Sequence, residues 1–273
     1  MRFAFTALSR QATSLALLAF VALAAPAPAT ATAPTPTPST AAIPGMTRVP
    51  DPRGNIAPSP EYRMACWANG NPAGQQSTAC RTQVLAAINH AHAVEHIRAI
   101  TLPANYWSLP AAQQVFVIDN LERVSRGLHP VQGLVSQLST AAQYGAAHNV
   151  DPRVPSWHLT NGAAVTHGGA IWAGDYNTLD ADYSWMYMDG WGGSRAATSN
   201  LDCTYAAARG CWGHREVMLG YWGGTAYVVA GAGSVAHGAG GYFNSVTELF
   251  ESYSGRVPAF TYTWAQAVRA GAR

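Results

Sequence analysis

Between Ala79 and Ile100, apolar residues recur at Val84, Leu85, Ile88 and Val94, the spacing of one helix face, with Arg98 near the C-terminal end. The pattern predicts a helix there, broken by Leu102-Pro103-Ala104-Asn105-Tyr106. Ser108 is a residue type that caps helix N-termini, and Pro110 fits a first helical turn, so a second helix is expected through about Ser125. Gly127-Leu128-His129-Pro130 ends it. A third helix is predicted from Val131 to His148, stopped by Asn149 and Asp151-Pro152.

Beyond Pro155 the pattern changes. Gly, Trp and Tyr crowd the segment from Trp157 to Trp222, with one helical stretch predicted at Leu179–Met188. Tyr227-Val228-Val229 and Ser245 to Phe250 carry the β-branched and aromatic residues of strands and are bounded by glycines. Helices first and strands late predict an α+β layered domain rather than a wound βαβ sheet.

At the N-terminus, Arg2 and Arg10 are followed by an apolar run from Leu15 to Ala25, too short to span a bilayer. Ala25-Pro26-Ala27 and Ala27-Pro28-Ala29 follow as small-residue cleavage sites, so residues 1–29 read as a secretory signal peptide. Residues 30–60 are mainly Thr, Pro and Ala. Such a stretch cannot bury enough surface to offset its ordering entropy and is expected to be a disordered linker. The folded part then starts near Glu61 and has the size of one domain, or one with a small appendage.

Charge narrows the set of partners. All 16 basic residues are Arg, and without Arg2 and Arg10 the basic residues equal the 14 acidic ones. A near-neutral chain is a poor fit for nucleic acid or an anionic membrane. Its nine Trp residues, the first at Trp67, suit uncharged or apolar ligands better than phosphates. Four cysteines behind a signal peptide read as two disulfides, with three possible pairings. Local pairing, Cys66–Cys80 and Cys203–Cys211, is expected because short loops are the least costly to close. A four-thiolate zinc site would need CxxC-type clusters, which the chain lacks.

Two constellations carry candidate chemistry. His92-Ala93-Val94-Glu95-His96 fits H-x-x-E-H, in which two His one helical turn apart hold Zn²⁺ and the Glu polarises a water. Leu85, Ile88, His92 and His96 also read as one partly buried helix face. The second constellation runs from His167 to His214 and holds Asp175, Asp180, Asp182, Asp189 and Asp202 among aromatics. Two His and a carboxylate meeting across a cleft would make a metal site or an acid/base pair. Individually, these Asp residues read as caps of turns and helices, Asp175 and Asp180 both standing where a helix would begin. Ser234 and His237 lack the nucleophile-elbow spacing, since residue 232 is Ala. The glycines around them read as turn residues.

Three stretches in order resemble the CAP superfamily, the SCP-like proteins named for cysteine-rich secretory proteins, antigen 5 and plant pathogenesis-related proteins, and in particular its actinobacterial branch. Asn120-Leu121-Glu122-Arg123 leading into Gly127-Leu128-His129-Pro130 is similar to the family's opening. Gly168-Gly169-Ala170-Ile171-Trp172-Ala173-Gly174 stands where the family has Gly-Glu-Asn-Ile-Ala-x-Gly. Trp185-Met186 and Gly213-His214-Arg215-Glu216-Val217-Met218-Leu219 resemble its Trp-Met and Gly-His-Arg motifs. The resemblance implies an α-β-α sandwich with a mainly antiparallel central sheet at residues 111–273, preceded by a helical N-terminal extension at 61–110.

It also implies a cleft with two His and two acidic residues able to hold a divalent cation such as Zn²⁺. His214 matches the histidine of the Gly-His-Arg motif; the other histidine is His167 or His158. Gly169 replaces one acidic ligand, and Asp189 stands near the place of the other. His167, Trp172, Trp185, Asp189, His214, Arg215 and Glu216 are the candidate cleft residues. The expected role is a secreted, monomeric binding protein for an apolar small molecule or a cell-envelope glycan, in the medium or associated with the cell wall. The alternatives are a metal-dependent hydrolase or peptidase using His214 with His167, or His92, Glu95 and His96, and an adhesive surface protein.

Overall fold

The computed structural model describes residues 49–67, 72–153, 158–192, 199–220, 227–241 and 243–273. The expected signal peptide, and the linker up to residue 48, lie outside the described residues. Seven α-helices and five strands follow in the order α1 (Arg63–Cys66), α2 (Thr78–Val94), α3 (Ala111–Ser125), β1 (Gly133–Val135), α4 (Ser136–His148), β2 (Ala164–Asp175), α5 (Thr178–Tyr187), α6 (Gly213–Met218), β3 (Val228–Ala239), β4 (Phe243–Ser254), β5 (Phe260–Thr263) and α7 (Trp264–Arg269). The fold is mixed α and β. No helix among the described residues is long and apolar enough to cross a membrane.

The strands form one sheet in the order β2-β4-β3-β1-β5, antiparallel at every pairing except β1 with β3. Alternation along β4 sends Val246 and Phe250 into one core, with α3 and α5, and Leu249 and Tyr253 into another, with Leu138 of α4. Both faces of the sheet are therefore covered by helix. Cys80, Val84, Ala87 and Ile88 of α2 belong to the same core as Val115, Phe116 and Leu121 of α3, so the early helices share the main core.

Several expected boundaries move for identifiable reasons. The third predicted helix loses its first residues to β1, because Leu134 pairs with Ala230 of β3 and Tyr262 of β5. The first ends at Val94 rather than near Ile100. Gly231 and Gly233 are not turn residues but lie inside β3. A Cβ at Gly231 would stand 2.1 Å from the Leu138 backbone, and one at Gly233 2.4 Å from the Gln143 backbone. These glycines let α4 lie directly on the strand. Residues 49–60, assigned by composition to the linker, are packed: Asn55 and Ile56 are buried, and their amides donate to the carbonyls of Gly192 and Tyr187 at 3.0 and 2.9 Å.

Both expected disulfides are present, Cys66–Cys80 with Cα atoms 4.6 Å apart and Cys203–Cys211 at 4.4 Å. The first ties α1 to α2. The second closes the loop ahead of α6.

The main core also holds acidic side chains. Asp119, Asp182 and Glu248 come from α3, α5 and β4 and are fully buried; Asp119 and Glu248 have no hydrogen-bond partner for either carboxyl oxygen, and Asp182 lies beside Glu122. Burial pushes the Asp119 carboxyl up to about 8 despite the nearby Arg123, and holds Asp182 and Glu248 well above the carboxylate range.

Candidate functional site

Asp189 follows Met188, the C-cap of α5, and its carboxylate meets the start of α6. Its Oδ2 accepts from the backbone amides of His214 and Arg215 at 2.8 and 3.1 Å. Its Oδ1 accepts from Asn200 Nδ2 at 2.6 Å and lies 2.7 Å from His214 Nδ1. Asn200 also donates to the Gly210 carbonyl at 2.8 Å, inside the segment that the Cys203–Cys211 disulfide closes. The imidazole is thus oriented by a carboxylate that is itself held by an amide side chain, an arrangement suited to proton transfer or polar recognition.

Burial by itself would lower the His214 pKa. The hydrogen bond and charge of Asp189, with the charges of Asp151 and Asp202, outweigh it and leave the pKa raised. A raised folded pKa means that this pair stabilises the fold fully below the ordinary histidine value and loses that contribution as pH rises through the raised one. Asp189→Asn should lower the His214 pKa, read by NMR titration of its ring protons. An unchanged titration would remove Asp189 as the cause.

The remaining expected cleft residues are mostly structural. Arg215 is buried and donates to Glu95 Oε1 at 2.5 Å and to the Met186 carbonyl at 2.8 Å. Trp185 is buried, its indole donating to the Trp172 carbonyl at 3.1 Å, and Trp172 donates to Ser245 Oγ at 2.8 Å. Glu216 is exposed in the first turn of α6. His167 is exposed on the edge strand β2, five residues before Trp172, or roughly 16 Å along an extended chain. Asp151, one of the charges acting on His214, lies at the Trp172 backbone. The structure therefore does not gather His167 and His214. His158 is exposed and bridges Ala164.

The H-x-x-E-H reading is corrected. The helix stops before the motif is complete: Glu95 is its C-cap, and His96 turns out with a φ of 58° and is exposed. His92 is buried, with Nδ1 2.6 Å from the Arg98 carbonyl and Nε2 3.0 Å from Glu122 Oε2. Glu95 pairs with Arg126 and Arg215. Both ring nitrogens and the carboxylate are used in holding helices together. Among the described residues, no group of three or more His, Cys, Asp or Glu side chains could hold a metal ion.

A second place gathers two Asp residues of the His167–His214 stretch, without either histidine. The end of β2 and the first turn of α5 bring Asp175 and Asp180 to the wall of a cavity of about 400 Å³, together with Tyr62, Arg63, Tyr176 and Phe243. Asn177 caps α5 and also donates to the Gln75 carbonyl at 3.1 Å. Tyr62 Oη donates to Asp180 Oδ1 at 2.5 Å, and the Tyr176 amide donates to Asp180 Oδ2 at 2.9 Å. The Asp175 and Asp180 carboxyls are hydrogen-bonded to each other, and Ser184 bonds Asp175. Burial raises both carboxyls, and the Asp180 charge raises Asp175 further. Beside them stand three rings, Trp67, Tyr176 and Phe243, with centroids 5.4 to 6.4 Å apart. Sequence reasoning missed Tyr62, Arg63, Tyr176 and Phe243, which lie in three places along the chain and share no motif.

No family model, curated protein or solved structure matches the chain.

Proposed function

We propose that the chain is a secreted CAP/SCP-like domain that binds a cell-envelope glycan without transforming it. The observation that carries this reading is the 400 Å³ cavity, where aromatic rings stand beside two acids. Sugar rings stack on aromatic faces, and carboxyl groups beside them offer hydrogen-bonding partners to sugar hydroxyls. An apolar small molecule fits less well, because it would cover two carboxyls without hydrogen-bonding them.

The family resemblance gains support from contacts between its motifs. Arg123 of the Asn-Leu-Glu-Arg stretch donates to the Met218 carbonyl of the Gly-His-Arg stretch, and Trp185 bonds the carbonyl of Trp172. Two disulfides are in keeping with an oxidising, extracytoplasmic location. A hydrolase built on His214 with His167, or on His92, Glu95 and His96, has less support, since neither set is gathered.

The test is calorimetric titration with soluble cell-wall glycan fragments. Tyr176→Ala and Phe243→Ala should each weaken binding by about tenfold or more, as expected for a lost stacking ring. Undiminished binding by both variants would move the ligand elsewhere. Steady release of cleaved fragments would overturn the non-catalytic assignment.

A further inference from the structure

We infer that residues 49–60 form a strap that opens from α5 as a unit and, when docked, closes one wall of the cavity over its ligand. The closure rests on the glycan reading; the opening itself does not depend on it. The strap holds no helix and no strand. It is fastened at Asn55 and Ile56, whose amides donate to the Gly192 and Tyr187 carbonyls. Asn55 Oδ1 accepts from the Gly190 amide at 2.8 Å, and the Ile56 carbonyl accepts from Tyr183 Oη at 2.9 Å. These bonds all go to α5 and the turn that follows it. Two residues beyond Ile56, Pro58 lines the cavity of Asp175, Tyr176 and Phe243. A strap released at Asn55 and Ile56 therefore takes Pro58 out of the cavity wall.

Three features favour a reversible opening. The docked strap buries Asn55 Nδ2 without a hydrogen-bond partner, and lifting returns that donor to water. On its other side the strap is loosely packed, since a groove of about 640 Å³ separates residues 50–56 from Val94 and Glu95 at the end of α2. Four of the twelve strap residues are Pro, so the free strap stays extended and loses little entropy when it docks again. The motion also has a boundary. Ser59, Pro60 and Glu61 are exposed, whereas Tyr62 is buried, its ring edge-on to Tyr183 and its hydroxyl bonded to Asp180. The Cys66–Cys80 disulfide then ties α1 to α2. Opening stops short of Tyr62, which remains as fixed wall.

Hydrogen exchange on the full chain, read amide by amide by NMR, tests this. The amides of Asn55, Ile56 and Gly190, which the docked strap engages, should exchange together and at least about 100-fold faster than those of Val117 to Leu121 in α3. Their rate should change little in dilute urea, because lifting a strap exposes little surface. A saturating N-acetylglucosamine tetramer should slow the three amides by about tenfold or more. Exchange of the three at the α3 rate, or at three unrelated rates, would overturn the inference. If calorimetry shows the tetramer bound while the three rates are unchanged, the strap does not close on the sugar, and the inference falls with the glycan reading intact. If the tetramer does not bind, the glycan reading falls and the closure falls with it.

Discussion

Raising the pH from about 5 to about 9 should lower the thermal midpoint by about 10 °C or more. The cause is the buried acid set. Asp119 and Glu251 are pushed by burial up to about 8, while Asp182 and Glu248 are held well above the carboxylate range. In the unfolded chain these groups ionise near pH 4. Between that value and the raised one, the folded state binds protons that the unfolded state has released. Stability therefore falls as pH rises across this window. His214 and His92, both raised, lose their contributions in the same direction as pH rises.

Glu122 acts oppositely. Burial opposes its ionisation, but the charges of His92 and Arg126 hold its pKa below the ordinary range, so its contribution is lost only toward strong acid. The stability maximum should accordingly be mildly acidic. Replacing Asp119 and Glu248 by Asn and Gln, which cannot ionise, should flatten the profile above about pH 5. Melting curves across pH check this, and an unaltered slope in that double variant would show that other groups set it.

The largest single-residue loss is expected at Glu122. Its carboxylate pairs with Arg126 and His92 and accepts from Tyr187 Oη at 2.8 and 2.9 Å. Arg126 also reaches Glu95, which in turn holds Arg215. One side chain of α3 thus joins α2, α5 and, through Glu95, α6. Glu122→Ala leaves a guanidinium, an imidazole and a phenol buried around a missing partner, at a cost of about 3–5 kcal/mol. In a protein of this size that lowers the thermal midpoint by about 10 °C. A cost below about 1 kcal/mol would mean that water replaces the carboxylate and that the network is slack. A double-mutant cycle with Arg126→Met separates the pair from the cost of the orphaned charge.

The helices at Thr78–Val94, Ala111–Ser125, Ser136–His148 and Thr178–Tyr187 were legible because their apolar periodicity and their Gly, Pro and Asn stops are local. The cysteine pairing was legible because short loops are favoured. β2 was not: His167, Gly168 and Gly169 show no alternation, and the strand is specified by its partner β4, whose residues lie about 80 positions later. His214 was found from its motif, and the structure supplies its partners, Asp189 and, through it, Asn200.

Composition and local order by themselves determined a near-neutral, aromatic-rich chain and pointed to two short-loop disulfides and an α+β layering. Only the tertiary structure decided what the charged residues do. His92 and Glu95 match a metal motif in sequence, yet Glu122, Arg126 and Arg215 arrive from other elements and neutralise them. Asp175 and Asp180 look like separate caps until the turn between β2 and α5 presses their carboxyls together against Tyr62. A side chain's pKa and availability depend on which charges and how much water lie within a few ångströms, and those neighbours are set by packing across the chain.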